Sequence, residues 1–180
     1  MRRTWAIRVL ALCAVLGLTV SAASADNGPT FFAARLTGFH ETTSILTGGT
    51  GTFTLAVNGD TATYRLTYTG LTSPIIMSHI HFAQRGVNGN IVVWLCQTAA
   101  APAPAAVAAI TPQCVGPGET LTGTLSSANV LGVPAQNVTA GDFQGFLRIL
   151  RAGDGYANIH TTSFTAGEIR GQVSFGFSDE

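Results

Sequence analysis

Hydrophobic and polar residues alternate along most of this chain with a period of two, which is typical of β-strands. The alternating runs are separated by glycine, asparagine and aspartate, the residues that tight turns prefer. Asn58-Gly59-Asp60 lies between two such runs, and Asn-Gly in this position strongly indicates a hairpin because both residues tolerate positive φ. The pattern predicts strands at 30–37, 50–57, 62–69, 76–83, 91–96, 119–126, 156–161 and 168–177.

Residues 139–151 interrupt the alternation with a helical pattern, in which Thr139 is expected to be the N-cap. The apolar stripe of this helix consists of Phe143, Phe146, Leu147 and Leu150. Short strands at regular spacing with one helix predict an all-β fold, an antiparallel β-sandwich or barrel with a short crossover helix. The run 91–96 is apolar at nearly every position, so we expect it to be a central strand.

The first 25 residues have the pattern of a secretory signal peptide. Three arginines precede an apolar run at 9–20, and Ala23-Ser24-Ala25 supplies the small residues of a cleavage site. That run is shorter than the roughly 20 residues a membrane-spanning helix needs. We therefore expect cleavage after Ala25 and a secreted or periplasmic protein, with one domain at 26–180 and no transmembrane anchor in the mature chain.

Charge and cysteine content fit an exported protein. Without the leader, six arginines stand against nine acidic residues and there is no lysine, so nucleic acid and anionic membranes are not expected partners. Cys96 and Cys114 remain as an even pair, which most simply forms a disulfide in an oxidising compartment. A metal-binding thiol pair is the less favoured alternative, because such cysteines are usually closely spaced. The enclosed residues 98–112 are rich in alanine and proline and are expected to form a loop.

Three of the four histidines lie in predicted strands. His79 and His81 are two residues apart, so their side chains face the same side of a sheet. If the strand of His160 lies nearby, three imidazoles converge, and such a set can bind zinc or copper. The alternative is a structural role, in which each imidazole bridges strands by hydrogen bonds and packs on neighbouring aromatic rings.

Two acidic residues and one arginine could support that site. Glu168 and Arg170 also share a strand face, which indicates an ion pair or a carboxylate bound to backbone amides. Alternatively, Glu41 or Glu168 orients a ligating histidine or is itself a ligand. His40 is a fourth imidazole, but it is adjacent to Glu41, and adjacent strand residues face opposite sides. The sequence has no Gly-x-Ser-x-Gly motif, so hydrolytic chemistry is not favoured.

Several short motifs, taken together in order and spacing, resemble the CHRD (chordin-type) domain family over about residues 31–177. These motifs are Leu36-Thr37-Gly38 with Glu41, Gly51-Thr52-Phe53, Tyr64, His79-Ile80-His81, Gly86 with Asn88-Gly89, Gly123-Thr124-Leu125, Arg151-Ala152-Gly153, 156–161 and 167–172. The resemblance implies an exported, immunoglobulin-like or related β-sandwich without an established general catalytic activity. A fold does not by itself define a function.

Three functions remain open from the sequence. The leading expectation is an exported, non-enzymatic binding or envelope-associated module whose ligand is an unidentified protein, glycan or metal. The first alternative is a small copper- or zinc-binding protein that uses His79, His81 and His160. The second alternative is a structural matrix or adhesion protein.

Overall fold

The computed structural model describes residues 30–176, so the expected leader and its cleavage site lie outside the described part of the chain. The strands are β1 Phe31–Thr37, β2 Thr50–Asn58, β3 Thr61–Thr69, β4 Ile75–Phe82, β5 Asn90–Cys96, β6 Thr120–Leu125, β7 Gly155–Thr161 and β8 Ile169–Phe175. The α-helices are α1 Ala105–Ala108 and α2 Phe143–Arg151, and short 3-10 helices occupy Gly38–His40, Ser127–Asn129 and Pro134–Gln136. None of the helices in this part of the chain is long and apolar enough to cross a membrane.

All eight strands belong to one antiparallel sheet in the order β5-β4-β7-β8-β1-β2-β3-β6. The sheet curls into a nearly closed, barrel-like shape. This confirms the all-β prediction, and of the two predicted forms, sandwich and barrel, the structure has the barrel. Its interior is filled by buried apolar side chains, among them Phe32, Leu55 and Leu66. On the opposite face, threonines of β2, β3 and β6 point towards solvent.

The expectation that 91–96 is a central strand is wrong, because β5 lies at one end of the strand order. Its apolar character has another cause. Val93 and Leu95 face the main core, whereas Trp94 packs with Ala103 and Val107 in a second small cluster on the outer face. The strand that is buried at every position is β7, which lies between β4 and β8.

Helix α2 begins four residues later than predicted. Thr139 is not its N-cap; the carboxylate of Asp142 instead accepts a hydrogen bond from the amide of Gly145 at 2.7 Å. An aspartate side chain satisfies the free amides of the first turn well, so the helix starts there. The predicted apolar stripe is buried, and Ile149 is buried as well. The helix forms part of the connection between β6 and β7, which are not neighbours in the sheet.

A disulfide joins Cys96 to Cys114 and closes the alanine- and proline-rich segment. This segment contains α1, and the side chain of Gln97 holds it in place. The Gln97 amide group donates to the carbonyls of Ala108 and Thr111 at 2.7 Å each, and its oxygen accepts from the amide of Ala103 at 2.9 Å. The segment therefore has a defined conformation against the outer face of β5.

Candidate metal centre

Strands β4 and β7 bring three imidazoles together on the outer face of the sheet. One ring nitrogen from each of His79, His81 and His160 lies within 4.8 Å of the others. The ring centroids of His79 and His160 are 4.9 Å apart, and those of His79 and His81 are 5.4 Å apart. All three side chains are buried. The convergence expected from the sequence is therefore present.

The register of three strands explains this convergence. In the pairing of β4 with β7, His79 lies opposite Asn158 and His81 opposite Tyr156. Residues directly opposite in an antiparallel pair share a face, and so do residues two apart on one strand. His160 therefore joins the same face as Asn158, and β8 adds Arg170 opposite Asn158. The hydrophobic core occupies the other face of the sheet.

Two of the rings are fixed by hydrogen bonds to backbone carbonyls. Nδ1 of His81 lies 2.9 Å from the oxygen of Gly89, and Nδ1 of His160 lies 2.9 Å from the oxygen of Thr165. A carbonyl only accepts, so Nδ1 carries the hydrogen in both rings and Nε2 of the neutral ring has a free lone pair. Neither Nε2 atom has a hydrogen-bond partner among residues 30–176, although both are buried.

His79 differs from the other two histidines, because neither of its ring nitrogens has a hydrogen-bond partner among the described residues. Its ring packs edge-on against Trp94, with centroids 4.2 Å apart. An unpaired buried polar group costs about 1–3 kcal/mol, so this arrangement is unfavourable unless a ligand compensates it.

Burial keeps all three imidazoles neutral, which is the form that binds metals. It lowers the pKa of His79 to about 2, and the neighbouring His160 and His81 lower it further. It also lowers the pKa of His81 to about 4, although the hydrogen bond to Gly89 acts in the opposite direction. The pKa of His160 is lowered by burial as well, and its bond to Thr165 opposes this shift.

Asn158 is a site residue that the sequence analysis missed. This residue is 3% exposed, and its Oδ1 atom has no hydrogen-bond partner in the described structure. It interacts with both His79 and His81, whose pKa values it raises slightly against the effect of burial. The alternation of Tyr156, Asn158 and His160 along β7 was the available signal, since it puts all three on one face.

Tyr156 and Arg170 form the wall beside His81. The rings of His81 and Tyr156 are parallel with centroids 4.6 Å apart, and the guanidinium carbon of Arg170 lies 3.3 Å from the same tyrosine centroid. Arg170 also donates to the carbonyls of Val87 at 2.7 Å and Gln84 at 3.4 Å. It therefore connects the site to the loop between β4 and β5.

The two candidate carboxylates occupy different positions. Glu168 accepts hydrogen bonds from Thr47, Thr72 and Thr161, at 2.7–3.0 Å, so its side chain ties three segments together instead of orienting a histidine. Burial alone raises the pKa of Glu168, but these hydrogen bonds outweigh it and hold the pKa below its usual value. Arg170 donates to the Asn88 side chain at 3.3 Å and to the carbonyls of Val87 and Gln84, and within the described structure it forms no hydrogen bond to Glu168.

Glu41 lies near Arg170, and its Oε1 atom is buried without a hydrogen-bond partner. Burial raises the pKa of Glu41 to about 7, although the nearby Arg170 lowers it in part. His40 is exposed in the 3-10 helix that follows β1, so the fourth histidine is not part of the cluster.

The distances and donor atoms are suited to a metal ion after a small adjustment. Nitrogens bound to one tetrahedral zinc ion lie about 3.3–3.4 Å apart, given zinc–nitrogen bonds of about 2.0–2.1 Å. The ring nitrogens lie within 4.8 Å of one another, so their spacing must contract by up to roughly 1.4 Å for one ion to bind all three. A surface depression lined by Gly89 and residues 132–135 reaches His81 from solvent; His79 and His160 do not line it.

A family model described as CHRD domain matches residues 32–173. The matched segment contains the three clustered histidines together with Asn158 and Arg170. No curated protein and no solved structure matches the chain.

Proposed function

Because the chain belongs to the CHRD domain family, we propose that it is an exported binding module, and that its ligand is a copper or zinc ion. His79, His81 and His160 supply the three ligands. The observation that carries this proposal is a cluster with four buried imidazole nitrogens that have no hydrogen-bond partner in the described part of the chain. Imidazole nitrogen suits both zinc and copper.

The energetics favour a metal over a purely structural role for the histidines. Structural histidines in a protein interior are normally hydrogen-bonded at each polar atom, because an unpaired buried nitrogen loses its hydration without replacement. Here the Nδ1 bonds of His81 and His160 fix the rings, and the Nε2 atoms remain free. A carbonyl acceptor on the second ring nitrogen is the arrangement found around metal-ligating histidines.

Export is supported by two features. The first 25 residues have the pattern of a signal peptide, and the Cys96–Cys114 disulfide is compatible with an oxidising compartment. In that compartment the protein acts by binding its metal ion, without a catalytic reaction. The role as a matrix or adhesion protein stays a prediction from the sequence.

The metal proposal is tested on untagged protein recovered from the exported fraction. We expect about one equivalent of copper or zinc per chain, measured by elemental analysis. After removal of the metal by a chelator, titration with Zn²⁺ and with Cu⁺ separately identifies which ion binds more tightly. Replacement of one ligand, His81→Ala, should abolish binding while the far-ultraviolet circular dichroism of the fold persists.

The chain offers a matched control in its exposed fourth histidine. His40→Ala removes an imidazole from the same protein but outside the cluster, so it should bind metal as the original protein does. Wild-type protein that binds neither ion would refute the proposal. Equal binding by the His81→Ala and wild-type proteins would refute the assigned ligands.

A further inference from the structure

We propose that Asn158 is the positioning residue of the centre. When the metal binds, the ring of His79 turns, offers one nitrogen to the ion and donates the N–H of its other nitrogen to Oδ1 of Asn158. This inference rests on the proposed metal-binding function. It assigns a role to a residue that is not itself a ligand.

The first argument is the asymmetry of the three rings. His81 and His160 each have a backbone carbonyl that fixes Nδ1, whereas His79 has no hydrogen bond at either nitrogen within residues 30–176. A metal takes one nitrogen of a neutral imidazole and leaves an N–H on the other. That buried N–H of His79 needs an acceptor, since leaving it unpaired is costly.

The second argument is the unused acceptor beside it. Asn158 lies directly opposite His79 in the pairing of β4 with β7, on the same face of the sheet. Asn158 is only 3% exposed, and its Oδ1 atom has no hydrogen-bond partner among the residues that the structure describes. One buried donor without an acceptor and one buried acceptor without a donor therefore face each other.

Direct coordination by Asn158 is the weaker interpretation. A neutral amide oxygen is a ligand suited to magnesium, calcium or manganese, whereas three imidazoles suit zinc or copper. Positioning also fits the different freedom of the three rings. The ring of His79 is the one that no hydrogen bond restrains within the described structure, so it can turn towards an ion at the lowest cost.

Two substitutions of Asn158 test the proposal in the full mature protein. Asn158→Leu keeps a side chain of similar size and removes the acceptor, so affinity for Zn²⁺ should fall about 10- to 100-fold. Asn158→Asp retains an acceptor at the same atom and should bind Zn²⁺ at least as tightly as the wild type. A merely structural role for Asn158 would not predict this rescue.

A spectroscopic measurement on the wild type does not depend on either variant folding. In zinc-loaded, ¹⁵N-histidine-labelled protein, the ring N–H of His79 should give a slowly exchanging proton signal with a hydrogen bond to the Asn158 side chain. The signal should be absent before zinc is added. A rapidly exchanging His79 N–H in the loaded protein would overturn the proposal.

The outcomes separate the two hypotheses. If wild-type protein binds zinc and Asn158→Leu binds it equally tightly, the positioning role is wrong and the metal function stands. If wild-type protein binds neither zinc nor Cu⁺, both are wrong. Weaker binding by Asn158→Leu, recovery in Asn158→Asp and the protected His79 proton together support the positioning role.

Discussion

The ring of His81 lies parallel to the ring of Tyr156, with centroids 4.6 Å apart. Gly89 connects the same two side chains, because its carbonyl bonds Nδ1 of His81 and its amide donates to the tyrosine hydroxyl at 3.3 Å. The guanidinium of Arg170 lies 3.3 Å from the tyrosine centroid, and one face of a ring cannot hold both it and His81. Tyr156 is therefore enclosed between a metal-ligand candidate and a buried cation.

Arg170→Met should destabilise the protein by about 2–4 kcal/mol, because the carbonyls of Val87 and Gln84 then lose their buried donor. The measurement is equilibrium unfolding in urea. Arg148→Met is the control; the Arg148 side chain is 67% exposed, so its replacement should change the free energy of unfolding by less than about 0.5 kcal/mol. Equal effects of the two substitutions would show that Arg170 does not hold the loop.

His79→Leu should leave the stability of the metal-free protein within about 1 kcal/mol of the wild type, or raise it, since the substitution removes two unpaired buried nitrogens. Urea unfolding of chelator-treated protein measures this. Ile80→Ala, a truncation on the core-facing side of the same strand, should cost about 2–5 kcal/mol. A comparable loss of stability in His79→Leu would indicate that the imidazole has a structural role and is not a metal ligand.

Glu41 should make stability depend on pH. Its pKa is about 7 in the folded protein against 4.5 for an ordinary glutamate, so the folded protein holds this proton more tightly than the unfolded chain. The resulting stabilisation is complete below pH 4.5 and is lost as the pH rises to about 7. We expect this group to contribute about 1–3 kcal/mol to that loss.

Glu41→Gln isolates this effect, because glutamine is neutral at every pH. Thermal unfolding of metal-free protein between pH 4 and 8 should show the melting temperature of the wild type falling relative to Glu41→Gln across this range. The exposed Glu119 provides the control substitution, Glu119→Gln, which should follow the wild-type curve. Parallel curves for the wild type and Glu41→Gln would mean that Glu41 is ionised normally in the folded protein.

Replacement of both disulfide cysteines by alanine should lower the free energy of unfolding by about 2–4 kcal/mol, because the unfolded chain gains freedom when the loop between Cys96 and Cys114 is opened. Urea unfolding with and without a reducing agent measures the change. The reductant should destabilise the wild type and leave the double variant unaffected. If full reduction leaves the free energy of unfolding of the wild type unchanged, the disulfide does not stabilise the protein.

Local pattern was sufficient for most of the secondary structure. Strand alternation located all eight strands to within about two residues at most of their ends, because one face of the sheet meets the core and the other meets solvent. Alternation also indicated that His79 and His81 share a face. The start of α2 was missed because two residues, Thr139 and Asp142, can each cap a helix, and local sequence does not rank them.

The order of the strands in the sheet could not be predicted from the local sequence pattern. An apolar run such as 91–96 signals burial on both faces, but it does not say whether neighbouring strands or other segments provide the cover. Here α1 and its surrounding segment cover the outer face of β5 at Trp94. The strand is therefore buried although it lies at one end of the strand order.

The sequence by itself determined the all-β class, the family, the cysteine pair and the face shared by His79 and His81, because each depends on residues close together or on whole motifs. Only the tertiary structure decided that β7 lies between β4 and β8, which brings His160 and Asn158 to His79 and directs Glu168 to a threonine cluster instead. The physical reason is that the pairing partner and register of a strand follow from packing across the entire barrel, and no local pattern carries that information.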